Sequence, residues 1–309
     1  MRRRRRNWGT TRGALVALLL FIPALVLVNM VWVDGVTRAA APRDRGRLVA
    51  TPRIEANVRV EGEGSPLVLI HGFAASLGWW DQIAPDLAKD HTVVRLDLIG
   101  HGGSAAPSAG YTIEDQAQVV ASVLDSLNLD RVTVIGHSMG GEVATALAEA
   151  NPARIARLIL IDSPPEADTK FTGLTELYLT RGIGELLSHF QSDKAIRDGL
   201  AQGFAPGFPV PQRFVDDLRQ LTYTAFRAAH DASVAYRSAT PTYERLAALD
   251  PVPPLLAIAG AADAIVPVAT AKLFEKVPGA KVEVLDGVGH TPMVEAPEKT
   301  LALIRGFLP

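Results

Sequence analysis

The sequence predicts an α/β fold, a mostly parallel central sheet with helices on both faces, carrying a helical insertion. Short apolar runs alternate with stretches of helical spacing from Ile54 onward, the pattern of strands joined by crossover helices. That rhythm breaks between about 164 and 250, where helix-like segments follow one another with no strand between them. The chain has 309 residues, 48% hydrophobic and 21% charged, enough for one sizeable α/β domain with an insertion.

The N-terminus differs from the rest. Arg2 to Arg6 and Arg12 precede any acidic residue, the first of which is Asp34. Net charge is −2; without those six arginines the remaining 25 basic and 33 acidic residues leave about −8. The body is therefore acidic and nucleic acid is excluded as a partner. Residues 14–33 are apolar apart from Pro23 and Asn29, and roughly 20 such residues suffice to cross a bilayer as a helix. A basic cytoplasmic segment is thus expected at 1–13, a transmembrane signal anchor at 14–33 and a linker at 34–53. With the arginines inside, the rest would be extracytoplasmic on a single-pass cell-membrane protein. Cleavage after Ala39-Ala40-Ala41 would instead give a secreted form. Cysteine is absent, which removes disulfides, thiolate nucleophiles and cysteine-bound metals.

Within 54–309, strands are expected at Ile54–Val60, Pro66–Ile70, Thr92–Asp97, Val132–Ile135, Leu158–Ile161, Pro254–Ile258 and Lys281–Leu285. Helical spacing covers Trp80–Leu87 and Ile113–Leu127. In the insertion, Phe171–Phe190 and Gln212–Tyr236 read as two amphipathic helices. Placed after a strand end, they would lie over the sheet's carboxyl edge as a lid, where open α/β sheets bind ligands.

The most informative motif is Gly136-His137-Ser138-Met139-Gly140, between the apolar run at 131–135 and the helix-like stretch from Glu142. Strand, tight turn and helix are the context of a nucleophile elbow. Four more patterns accompany it: His71-Gly72-Phe73 and Asp97-Leu98-Ile99-Gly100-His101-Gly102-Gly103-Ser104 before it, Gly260-Ala261-Ala262-Asp263 and Gly289-His290-Thr291-Pro292 after it. Together they resemble the α/β-hydrolase superfamily, over nearly everything from Ile54 to Leu308, and in particular its serine esterase and lipase-like members with a helical lid. The resemblance implies Ser138 as nucleophile, His290 as general base and Asp263 as the carboxylate that orients it, in the chain order of that fold. An unperturbed imidazole titrates near pH ~6.5, which suits proton transfer from serine at neutral pH. Met139 and Phe73 would offer backbone N–H groups to the oxyanion.

Other readings of these residues remain open. Asp263 could cap a helix beginning near Val268, with Asp162 or Asp286 as third member instead. His71, His101 and His137 read as structural, and the seven histidines show no metal-ligand spacing. No cofactor and no metal is expected. The expected activity is hydrolysis of carboxylic esters through an acyl-enzyme. The substrate would be a small-molecule ester with an apolar acyl or alcohol part, met by Phe171, Leu174, Tyr178, Phe204, Phe208 and Phe226. Acyl transfer, C–C bond hydrolysis, perhydrolysis or ligand binding without turnover use the same architecture. Serine at the elbow excludes the aspartate-dependent dehalogenases and epoxide hydrolases, and Thr291 after the histidine speaks against C–C hydrolases.

Overall fold

The computed structural model describes residues 8–43, 45–167 and 173–309, without the side chains of 8–15, 18 and 174. Eight strands form one sheet: β1 (Arg47–Ala50), β2 (Glu55–Glu61), β3 (Ser65–Ile70), β4 (His91–Leu96), β5 (Val132–His137), β6 (Ile155–Ile161), β7 (Leu255–Gly260) and β8 (Lys281–Leu285). Their order is β1-β2-β4-β3-β5-β6-β7-β8. β1 and β2 run antiparallel, as do β2 and β4, and all later neighbours are parallel. Strand β1 lies within the stretch expected to be a linker. Only Val49 of its four residues is buried, so the strand has almost no apolar signature and is made by pairing Arg47 to Ala50 with Val58 to Glu55.

The central strands are buried on both faces, which is why they read as continuous apolar runs. In β3, Val68 and Ile70 point into one core layer with Val94, Leu96 and Val134, beneath the helices Ile113–Ser126 and Met139–Ala150. Leu67 and Leu69 point the other way, to Trp80, Ile83, Leu87 and, from the C-terminal helix, Ile304. A side-chain period of two thus divides one strand between two cores.

The helix Trp8–Asp34 forms, with Pro23 inside it. Among the described residues, however, no helix is long and apolar enough to cross a membrane, which overturns the transmembrane anchor expected at 14–33 and the membrane as a partner through it. The end of this helix lies instead against the insertion. Val33 is buried and its carbonyl accepts from Thr224 Oγ1 at 3.0 Å; Asn29 and His189 share a hydrogen bond, Asp34 pairs with Arg181, and Trp32 stacks on His189. Leu19, Leu20, Phe21 and Ile22 stay exposed. The run Arg2 to Arg6 lies outside the described residues.

Between β6 and β7 the insertion is cut into shorter helices than the periodicity suggests. The first expected helix is divided into Leu174–Leu179, Ile183–Leu187 and a 3-10 turn Ser188–Phe190; the second into Gln212–Arg219 and Tyr223–Ala239. The first break falls at Gly182, whose φ of 82° lies outside the helical range. Asp193–Leu200 and Thr242–Ala247 are further helices.

Candidate active site

Ser138 stands between β5 and the helix Met139–Ala150 with φ 50° and ψ −121°, a strained backbone for a residue with a side chain. Its N–H donates to Ile161 O (2.9 Å), and its carbonyl accepts from Gly141 N (2.9 Å) and Ser163 Oγ (2.9 Å). The sequence folds this way because the helix passes so close to β3. A Cβ on Gly140 would sit 2.3 Å from the Ile70 carbonyl. Met139 is the first residue of the helix, and the opening N–H groups of a helix have no partner within it. The loop after β3 runs alongside, since a Cβ on Gly72 would meet Ser138 Cβ at 3.0 Å and His137 Nδ1 at 2.8 Å. Phe73 follows on that loop.

His290 reaches the same point from the loop after β8. Its Nε2 is 2.9 Å from Ser138 Oγ, and its Nδ1 is 2.7 Å from Asp263 Oδ2. Asp263 sits after β7, where its Oδ1 accepts from Ile265 N (2.7 Å) and Val266 N (3.0 Å). Burial pushes its pKa up, but the neighbouring His290 and those N–H donors outweigh it and leave the carboxyl below its usual range. The structure therefore brings together Ser138, His290, Asp263, Phe73 and Met139, from loops up to 152 residues apart. It sets Asp286 aside in the turn after β8. Asp162 lies close by: Asp162, Asp263 and His290 each offer a potential metal ligand, all within 4.8 Å of one another. In that trio the His290 Nδ1 is already engaged by Asp263.

Three further histidines shape the loops. His71 Nε2 accepts from Leu98 N (3.0 Å) while its Nδ1–H donates to Gly72 O (2.8 Å). His101 Nε2 accepts from Ala74 N (3.3 Å) and its Nδ1–H donates to Ile99 O (2.9 Å). The Nε2–H of His137 donates to the His290 carbonyl (2.7 Å). The His71 and His101 rings are thereby neutral in one tautomer. Burial lowers their pKa values, to about 4 for His71 and about 3 for His101 and His137.

Above Ser138 lies a cavity of about 240 Å³ whose lining includes Phe73, Trp79, Tyr178, Leu200, Phe204, Phe226 and Ile265. Among the described residues no Lys, Arg, Asp or Glu lines it. Of the six lid residues expected to meet substrate, Tyr178, Phe204 and Phe226 do line it; Phe208 stacks on Phe204. Phe171 and the side chain of Leu174 lie outside the described residues. Sequence reasoning missed Trp79, which stacks on Phe214 at 4.2 Å between centroids. It also missed Glu295. That carboxylate accepts from Gly289 N (3.0 Å), Thr291 N (3.1 Å) and Ala205 N (2.8 Å), clamping the His290 loop to the insertion. Neither has a local motif that announces it.

The family profile of the alpha/beta hydrolase fold matches residues 65–297. The chain belongs to this family. It is an enzyme of that fold, and hydrolases and esterases surround it. A 2-hydroxy-6-oxo-2,4-heptadienoate hydrolase of Pseudomonas putida is 25% identical over 85% of this chain and 96% of its own length. A thermophilic esterase from Thermogutta terrifontis is 26% identical, with a TM-score of 0.70 over 86% of this chain and 97% of its own. An N-acyl homoserine lactone degrading enzyme is 25% identical, with a TM-score of 0.67 over 85% of this chain and 100% of its own.

Proposed function

We propose that this hydrolase-fold protein cleaves neutral carboxylic esters, open or cyclic, through an acyl-enzyme formed on Ser138. The reading is carried by one observation: the Ser138 Oγ, His290 Nε2 and His290 Nδ1, Asp263 Oδ2 contacts of 2.9 and 2.7 Å at the floor of an uncharged, largely apolar cavity. The Ser138 hydroxyl attacks the ester carbonyl as its proton passes to His290 Nε2, and Asp263 stabilises the imidazolium. Backbone N–H groups of Met139 and Phe73 receive the oxyanion, aided by the positive end of the helix Met139–Ala150. His290 then protonates the departing alcohol. Water, deprotonated by His290, releases the acid and restores Ser138.

The cavity lining favours this over cleavage of an anionic substrate. A carboxylate entering it would lose hydration and meet no cation from the described residues, a cost that an apolar acyl or alcohol group avoids. The relatives support both ester and lactone chemistry, since an esterase and a lactone-degrading enzyme share the architecture.

A fluorophosphonate probe tests the assignment. It labels the native protein, and Ser138→Ala abolishes labelling while lowering ester hydrolysis on the order of 10⁴-fold or more. Labelling that persists in this variant refutes the choice of nucleophile.

A further inference from the structure

Asp162 follows β6 directly and takes no part in the steps above. Its φ is 43°, again a left-handed backbone at a residue with a side chain. Its N–H donates to Ile258 O (2.8 Å) and its Oδ1 accepts from Gly260 N (2.8 Å). The side chain is therefore turned across to the end of β7, on the strand whose following loop carries Asp263. One oxygen of Asp162, one of Asp263 and one ring nitrogen of His290 all lie within 4.8 Å of one another. Asp162 is only 2% exposed, and its Oδ2 is buried with no hydrogen-bond partner among the described residues.

A carboxylate oxygen in that position is costly, because burial removes its water and supplies no donor. The titratable groups around it are Asp263 and His290 on the next two loops, Glu295 beyond them, and the neutral His137 at the end of β5. His290 gives its Nδ1 to Asp263 and its Nε2 faces Ser138, so neither nitrogen is left for Asp162. The group that can satisfy Oδ2 is a proton of its own, shared with the neighbouring carboxylate.

We propose that Asp162 is a positioning residue for the catalytic group: a neutral carboxylic acid whose Oδ2–H donates to the Asp263 carboxylate and holds it against His290. The proton stays on Asp162 throughout the reaction. Burial raises the Asp162 pKa well above the carboxylate range, and the negative charge of Asp263 raises it further, whereas Asp263 is held low. Two adjacent carboxyls pushed in opposite directions divide one proton and one charge between them. The extra donor offsets part of the burial cost of Asp263 and fixes its rotamer.

The inference rests on the triad reading above, but one of its tests does not need activity. The infrared difference between native protein and Asp162→Asn at pH 7 shows a protonated-carboxyl C=O stretch in the native protein. Its absence overturns the proposal, whatever the protein hydrolyses. The second test is kinetic. Asp162→Leu removes the donor and lowers kcat about 10-fold with KM little changed, and Asp162→Asn, whose amide can still accept from Gly260 and donate to Asp263, recovers most of the loss. In Asp162→Asn the acid limb of kcat/KM stays within about 0.3 pH unit of native, because no charge has been removed. A downward move of about one unit shows an ionised Asp162 and overturns the proposal. If Asp162→Leu does not fold, Asp162→Asn and the infrared band decide it.

Discussion

Along the carboxyl edge of the sheet, backbone lies against backbone. A Cβ on Gly140 would meet the Ile70 carbonyl at 2.3 Å, and one on Gly260 would meet the Gly289 carbonyl at 2.0 Å. Buried His71, His101 and Asp97 tie the loops through main-chain N–H groups. The insertion above it is joined largely by side-chain latches, among them Arg237 on Glu142, Arg213 on Asp81, Ser76 Oγ donating to Asp217 Oδ2 at 2.7 Å, and Glu295 accepting from Ala205 N. The difference teaches where each property resides. Main-chain contacts set the loops that carry Ser138, Asp263 and His290 against one another. Side chains hold the cover, which supplies lining residues such as Tyr178, Leu200 and Phe226.

The largest effect is expected from the latch. Arg237 and Glu142 are both nearly inaccessible, so Arg237→Ala leaves the buried Glu142 without its cation, with only the Ser233 hydroxyl still donating to it, and costs about 3–5 kcal/mol in denaturant unfolding. A loss below about 1 kcal/mol would mean that the pair is solvated and the latch picture is wrong.

Acidification separates the two regions next. The folded pKa values of His71 and His101, about 4 and about 3, lie below the ordinary value of 6.5. The stability these neutral rings confer is complete above pH 6.5 and is lost as pH falls towards 4 and 3, where the unfolded chain alone takes up protons. Asp217 runs the other way. Burial raises it to about 6, so its contribution is complete below the ordinary carboxylate range and lost as pH rises through 6. Hydrogen exchange between pH 7 and 4.5 should therefore show the edge loops loosening while the Ser76–Asp217 latch does not. Uniform loosening breaks the comparison.

The smallest effect belongs to Phe190, on the insertion and 81% exposed. Phe190→Ser changes unfolding stability by less than about 0.5 kcal/mol. It alters preference among esters, since the residue still borders the cavity. A matching loss of stability would show that the cover is packed like the core.

The parts legible in the sequence are those with a local cause. The runs at 66–70 and 132–135 read as strands because both faces are buried, and the elbow read as a turn because its glycines admit a close helix. Ser138, Asp263 and His290 were recognisable as a set from their motifs and order. β1 was not, because its four residues carry one buried side chain and owe their conformation to β2. Nor was the end of the helix Trp8–Asp34, whose last turns meet Thr224, Arg181 and His189. The subdivision of the insertion escaped because apolar spacing continues across breaks set by turn geometry.

Sequence by itself determined the alternation of strands and helices, the serine turn and the residue types at the candidate site, since each follows from neighbouring residues. Tertiary structure alone decided which carboxyl faces His290, how close Asp162 lies to that pair, and which side chains enclose the cavity. Those outcomes depend on distances between loops more than a hundred residues apart in some cases, and on water being excluded where they meet. No local pattern encodes either.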